Sequence, residues 1–168
     1  MNIQLDTIIQ FVTLIALAAG IIFGIGESRR ASKARADKAA LDIFEITVQR
    51  DVIDAFVHVL NLPLDVKPEQ IRESPELRRA CQLLMNLFEY WGMMVFYRIV
   101  PLRTLDLLVG GVVRGCWKRL HRYWQAERDL HKVTALAEWF QWLAERLEEY
   151  PQPEKPAGAH ISFSSWKP

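Results

Sequence analysis

The sequence predicts an all-α protein in which a single N-terminal transmembrane helix continues into a cytoplasmic helical bundle of about five helices. One uninterrupted apolar run lies near the start, basic residues cluster on one side of it only, and apolar residues then recur at the 3.6-residue period with no alternating strand pattern and no internal repeat. The 168 residues suffice for one span and one domain, not for two separate cores. With 51% apolar residues and a net charge of +1, disorder and an overall electrostatic role are both disfavoured, so charge must act through local clusters.

The apolar run is residues 7–25, TIIQFVTLIALAAGIIFGI, uncharged and about as long as a helix needs to cross the hydrocarbon. Behind it, ESRRASKARADK carries Arg29, Arg30, Lys33, Arg35 and Lys38 against Glu27 and Asp37; ahead of it stand only Asp6 and the terminal amine. The positive-inside rule places the N-terminus outside and the rest in the cytoplasm, with Arg29, Arg30, Lys33 and Arg35 as membrane-surface contacts. A cleaved signal peptide would want a basic segment before the run and a small-residue cleavage site after it, so an uncleaved anchor is the better fit. Ala16, Gly20 and Gly24 recur at intervals of four and offer a transmembrane helix contact, although this spacing is also frequent by chance.

The expected divisions are 1–26 anchor, 27–40 helical juxtamembrane stalk, 41–150 cytoplasmic bundle and 151–168 proline-rich extended tail. The stalk is alanine and charge without a large apolar side chain, good helix composition spanning about 20 Å. Leu41, Phe44, Val48, Val52, Ala55 and Val59 then hold the helical period, with Ile46, Ile53, Phe56 and Leu60 on a second flank, and Pro63 stops this helix near Leu62. Ser74, Pro75 and Glu76 form a start signal for a helix reaching Val100. Pro101 opens a short helix through Val109, which Gly110 and Gly111 are expected to terminate. Val113, Trp117, Leu120 and Trp124 share one later face; Leu136, Trp139, Phe140, Leu143 and Leu147 share another, with Thr134 as its cap.

A second span over residues 81–100 would bring Asn86, Glu89 and Arg98 to membrane depth, at about 2.5–3.5 kcal/mol for each charge. A buried helix of a folded domain carries no such penalty and supplies the surface that its amphipathic neighbours need. Asn86 and Glu89, one turn apart, read as a structural polar layer satisfied by an arginine such as Arg98, Arg114 or Arg146, rather than as a catalytic acid with an orienting amide.

Three blocks, NLFEYWG, LLVGGVVRGCW and FQWLAERL, resemble in order those of the bacterial domain-of-unknown-function family 4760. By element order the resemblance covers residues 7–148. It implies one N-terminal membrane helix, an all-helical cytoplasmic part and hence the bacterial inner membrane, and it directs attention to Asn86, Phe88, Glu89, Gly92, Gly110, Trp117, Leu143, Ala144, Glu145 and Arg146. It implies no activity. The chain departs from the family's pattern at YRIVPLRT, where a glycine-containing turn is usual.

The remaining features are weighed against simpler readings. Residues 114–132 interleave cations with aromatics, but Trp117, Leu120 and Trp124 belong to the core face, which leaves Lys118, Arg119 and Arg122 as a solvated basic surface facing the acids of the last helix. Cys81 and Cys116 read as buried, reduced thiols, and neither they nor His58, His121, His131 and His160 show metal-ligand spacing. No cofactor and no enzymatic activity are expected. In the tail, Ile161, Phe163 and Trp166 follow a proline-rich spacer and read as partner-docking residues. The expected function is a non-catalytic membrane-anchored interaction or accessory subunit, its partners the lipid bilayer and a protein or larger membrane complex, with a homo-oligomer left open and nucleic acid disfavoured. The alternative is a membrane-anchored sensor or effector, in stress or phage defence, that binds a ligand or nucleic acid.

Overall fold

A computed structural model describes residues 3–149, 159–162, 164, 165 and 167, apart from the side chains of residues 3–12, 14–16, 18, 159 and 162. Among them the chain is helical throughout: α1 (Ile3–Thr47), α2 (Arg50–Leu60), α3 (Pro68–Glu73), α4 (Pro75–Phe96), α5 (Leu102–Leu105) with a π-helical turn over Asp106–Gly110, α6 (Gly111–His131), α7 (Glu138–Glu149) and the single turn α8 (Ala159–Ser162). The all-α expectation is met.

α1 is one unbroken helix of 45 residues, so the stalk does continue the preceding segment directly. Among the described residues, no helix is long and apolar enough to cross a membrane. The expected anchor, residues 7–25, has its backbone within α1 but many of its side chains outside the described residues. Farther along, Ala39 and Ile43 turn into the core.

The helix expected from residue 41 to Leu62 is in fact two. Thr47 donates its hydroxyl to the carbonyl of Ile43 at 2.7 Å, and Gln49 is extended (φ −65°, ψ 139°), so α1 ends and α2 starts afresh at Arg50. This break explains why both expected faces split: of the first, Val52, Ala55 and Val59 are buried but Leu41, Phe44 and Val48 are exposed, and of the second, Phe56 is buried but Ile53 is exposed. The turn-rich stretch after Pro63 contains α3, whose first turn holds Pro68 and which buries Ile71 completely.

α4 is the central element. Ser74 caps it as its type predicts, accepting the Leu77 N–H at 3.3 Å. It packs against α2 on one side and α7 on the other, while α6 packs against α2 and α7, so the four helices close into a ring that α3 braces between α4 and α6. Trp91, Phe88, Leu84 and Cys81 of α4 meet Val113, Cys116 and Leu120 of α6 and Phe140, Leu143 and Leu147 of α7 in one core. α4 is therefore a core helix and not a second span. It ends at Phe96 rather than Val100, because Arg98 takes a left-handed backbone (φ 57°) and the amides of Ile99 and Val100 both return to the Met94 carbonyl.

Gly110 and Gly111 do not terminate a helix. Both have right-handed helical angles, and the chain runs through them from the π turn into α6. Gly110 is needed for a different reason: a Cβ there would collide with the Asp106 carboxylate, which pairs with Arg114 at 2.7 Å across the turn. Thr134 does not cap α7, which begins four residues later after a loop in which Lys132 and Ala137 both have φ 57°. Arg128 closes that loop instead, donating to the carbonyls of Leu136 at 2.7 Å and Ala137 at 3.1 Å and to the side-chain carbonyl of Gln141 at 2.6 Å.

Two glycines make opposite predictions. A Cβ on Gly92 would lie 2.5 Å from the backbone oxygen of Trp139, whereas one on Gly111 meets nothing within 4 Å. Gly92→Ala should destabilise the domain by about 1–3 kcal/mol, as other overpacked helix contacts do, and Gly111→Ala should stabilise it by about 0.5–1 kcal/mol. Chemical denaturation midpoints check both.

Candidate functional site

The residues singled out in NLFEYWG converge on α7, each through a different contact. Phe88 is fully buried, meets the Phe140 ring at a tilt with centroids 4.5 Å apart, and stacks on Phe56 at 6.2 Å. Glu89, one residue on, accepts the Phe140 backbone N–H at 2.8 Å. Gly92, one turn later, lies beneath the Trp139 carbonyl. Helical spacing puts positions 88, 89 and 92 on one strip of α4, so a ring, a carboxylate and a missing side chain together seat the start of α7.

Glu89 acts as a remote cap. The first amides of a helix lack partners within it and carry the positive end of its dipole, so a carboxylate brought in from another helix satisfies both needs. Burial pushes the Glu89 carboxyl above the usual carboxylate range, opposed by the backbone N–H groups of Phe140 and Trp139. The partner is thus a helix terminus, not the expected arginine.

The expected polar layer of Asn86, Glu89, Arg114 and Arg146 does not assemble. Asn86 is exposed and accepts from Gln82 at 3.1 Å. Arg114 serves Asp106 and the Leu147 carbonyl, the latter at 3.4 Å. Arg146 reaches outward to Glu149 at 2.7 Å, while its Nε is buried without a partner among the described residues. The four residues lie on three helices at separate positions, and helical period alone cannot say which outward polar groups meet.

In the other two blocks, Trp117 meets Phe140 edge-on at 4.9 Å, and Leu143 and Ala144 are buried in the core. Glu145 is exposed and accepts from Gln141 at 2.8 Å. Of the basic surface on α6, Lys118 pairs with Glu148 at 3.1 Å, as its facing the acids of α7 required, but Arg119 turns inward to the Leu62 carbonyl at 2.8 Å. Cys81 and Cys116 are free and buried, and burial pushes both thiols up to about 12, so neither is a thiolate at neutral pH.

Arg29, Arg30, Lys33 and Arg35 are all exposed on α1, with Arg30 paired to Glu27 at 3.2 Å. Gly20 and Gly24 are exposed with nothing near them, and the Ala16 side chain lies outside the described residues. Ile161 is 60% exposed, while Phe163 and Trp166 lie outside the described residues.

Sequence reasoning missed an exposed apolar end of the bundle. Phe96 touches Tyr97, Trp139 and Trp142 at centroid distances of 5.2, 4.9 and 5.8 Å, and Trp139 and Trp142 border a cleft of about 240 Å³ with Glu138. In the segment that follows Phe96, Tyr97, Ile99, Leu107 and Leu108 are exposed. The available signal was the pair Arg98 and Pro101, which stops α4 early and turns this stretch away from the core.

These features define a closed helical ring carried on one long N-terminal helix, with apolar side chains exposed where α4 ends. Residues 7–147 match the family model described as Domain of unknown function (DUF4760), and the chain belongs to that family. No curated protein and no solved structure matches it.

The raised Glu89 carboxyl makes a signed prediction. A folded-state pKa above the unfolded one gives a contribution fully present below the unfolded carboxyl pKa and lost as pH rises through the folded value. Glu89→Gln keeps a carbonyl for the Phe140 N–H and removes the titration. The stability of wild type relative to this variant should therefore fall as pH rises from about 4 towards neutrality. Urea denaturation of both across that range reads it.

Proposed function

We infer that the protein is a membrane-anchored, non-catalytic interaction subunit of a bacterial inner membrane, which holds a helical domain at the cytoplasmic face for a protein partner or larger membrane complex. The observation that carries this reading is the continuity of α1: the helix whose first half bears the apolar run is the one that inserts Ala39 and Ile43 into the bundle core. A continuous helix transmits position and orientation, so the domain is held at a defined height and does not swing on a loop. The charge asymmetry around residues 7–25 supports an outside N-terminus.

The residues marked by the family blocks support a structural role for those blocks. Phe88, Glu89, Gly92 and Gly110 each serve packing, capping or close approach within the bundle. What remains for a partner is the apolar end around Phe96, Trp139 and Trp142, together with Ile161 of the tail. Phe96 is half exposed and the two tryptophans partly so, and aromatics clustered at a surface are the residue types that dominate binding energy.

Removal of residues 1–26 should move the protein from the membrane fraction to the soluble fraction, and alkaline phosphatase fused to the C-terminus of the full chain should be inactive. A truncated protein that stays with membranes under high salt, or an active phosphatase fusion, contradicts the anchor. In mild detergent the full chain should co-purify with a stoichiometric partner, and Phe96→Ala with Trp142→Ala should weaken that retention by at least tenfold, since two interface anchors at 1 kcal/mol or more each are lost.

A further inference from the structure

We propose that the end of the bundle formed by residues 97–108 is a second membrane contact, resting on an anionic lipid surface beside the point where α1 leaves the bilayer. This deepens the anchored reading and depends on it for the direction of α1. The juxtaposition is visible at a surface pocket of about 230 Å³, lined by Ser32 and Arg35 of α1 together with Tyr97, Arg98 and Ile99. Counted from Ile25, the end of the apolar run, Ser32 lies about 10 Å along the helix, whereas the polar layer of a bilayer is about 5–8 Å deep on each side. The pocket is thus the first part of the bundle that α1 meets, ahead of the core contacts at Ala39 and Ile43.

The composition of this end fits the location. Leu107 is 78% exposed, Tyr97 67% and Ile99 49%, three large apolar side chains that this connecting segment leaves uncovered. Arg98 and Arg103 are exposed in the same segment, Arg35 of α1 shares the pocket, and Arg29, Arg30 and Lys33 are exposed on the preceding turns of α1. Of the acids in these two stretches, Glu27 is bound to Arg30 and Asp106 to Arg114, while Asp37 is exposed beside Lys38, farther from the apolar run than the other cations. The net surface is cationic and apolar together, with a tyrosine among the aliphatic groups. That is the chemistry of an interfacial segment on phosphate headgroups, where arginines neutralise and apolar side chains enter the acyl boundary. Cys81 and Cys116 are buried, so a probe can be placed at this end through an introduced thiol.

The full chain is reconstituted into phosphatidylcholine vesicles with or without phosphatidylglycerol, carrying a fluorescent label at Ile21→Cys, Leu107→Cys or Asp129→Cys, and lipids with a spin-labelled acyl chain serve as quencher. Asp129 is exposed near the far end of α6, so it reports a position away from the surface. The expected result is quenching at 21 and 107 but not at 129, with the signal at 107 growing with phosphatidylglycerol. Arg98→Gln and Arg103→Gln should each lower the docked-to-undocked ratio about fivefold at low salt. Quenching at 21 with none at 107 overturns the second contact and leaves the anchor standing. If 21 is not quenched the anchor falls, and the second contact, which is placed beside it, falls with it. If 107 is shielded in native membranes yet behaves like 129 in lipid alone, a protein covers this end and the lipid assignment is wrong.

Discussion

The fold depends on how closely α4 and α7 approach each other. The missing side chain at Gly92 lets the Trp139 carbonyl sit where a Cβ would be, and that approach brings Phe140 onto the ring of Phe88 and its amide to the carboxylate of Glu89. The three contacts reinforce one another. If the helices separated by even 1 Å the ring contact would loosen, and the carboxylate would be left half-buried with no partner on α7, a state costing more than the lost hydrogen bond alone. Phe140 is also where Trp117 of α6 arrives, so the seam between α4 and α7 fixes the third wall of the ring as well.

A second constraint acts at the turn into α6. Asp106 and Arg114 are paired across the π turn with both side chains mostly buried, and Gly110 leaves room for the carboxylate. A buried pair of this kind contributes little net stability over an apolar pair, but breaking it is expensive, so its effect is to hold the turn over residues 106–114 in one conformation. This matters because the same stretch carries the exposed apolar side chains. Leu107 and Leu108 of the surface proposed to meet lipid are thus carried on a braced turn.

Helix starts and core faces were legible where one residue type has one physical use. Ser74 before Pro75 caps α4 as its chemistry requires, and the strips at Val113, Leu120 and Trp124 and at Phe140, Leu143 and Leu147 are buried as their period implies. Glycine and carboxylate were less legible because each has several uses. Gly110 and Gly111 suggested a stop, but the first serves close approach and the second stands in open space. Glu89 suggested a cation, whereas backbone N–H groups at a helix terminus carry the same sign of potential and have no signature in the sequence. Thr134 had the right type for a cap, but the Arg128 contacts to Leu136 and Ala137 delay α7 by a turn. The exposed end around Tyr97 could not be read from period, since the apolar pattern runs on past the point where the backbone of Arg98 reverses.

The central claim is that the α4–α7 seam organises the domain, so that α7 cannot leave without unfolding the rest. Native-state hydrogen exchange across a denaturant series measures this residue by residue. The account predicts that the amides of residues 84–92 and 140–147 exchange as one unit, at the free energy of global unfolding and with the full denaturant dependence. Exchange of residues 140–147 through a smaller opening, while residues 84–92 remain protected, would contradict it.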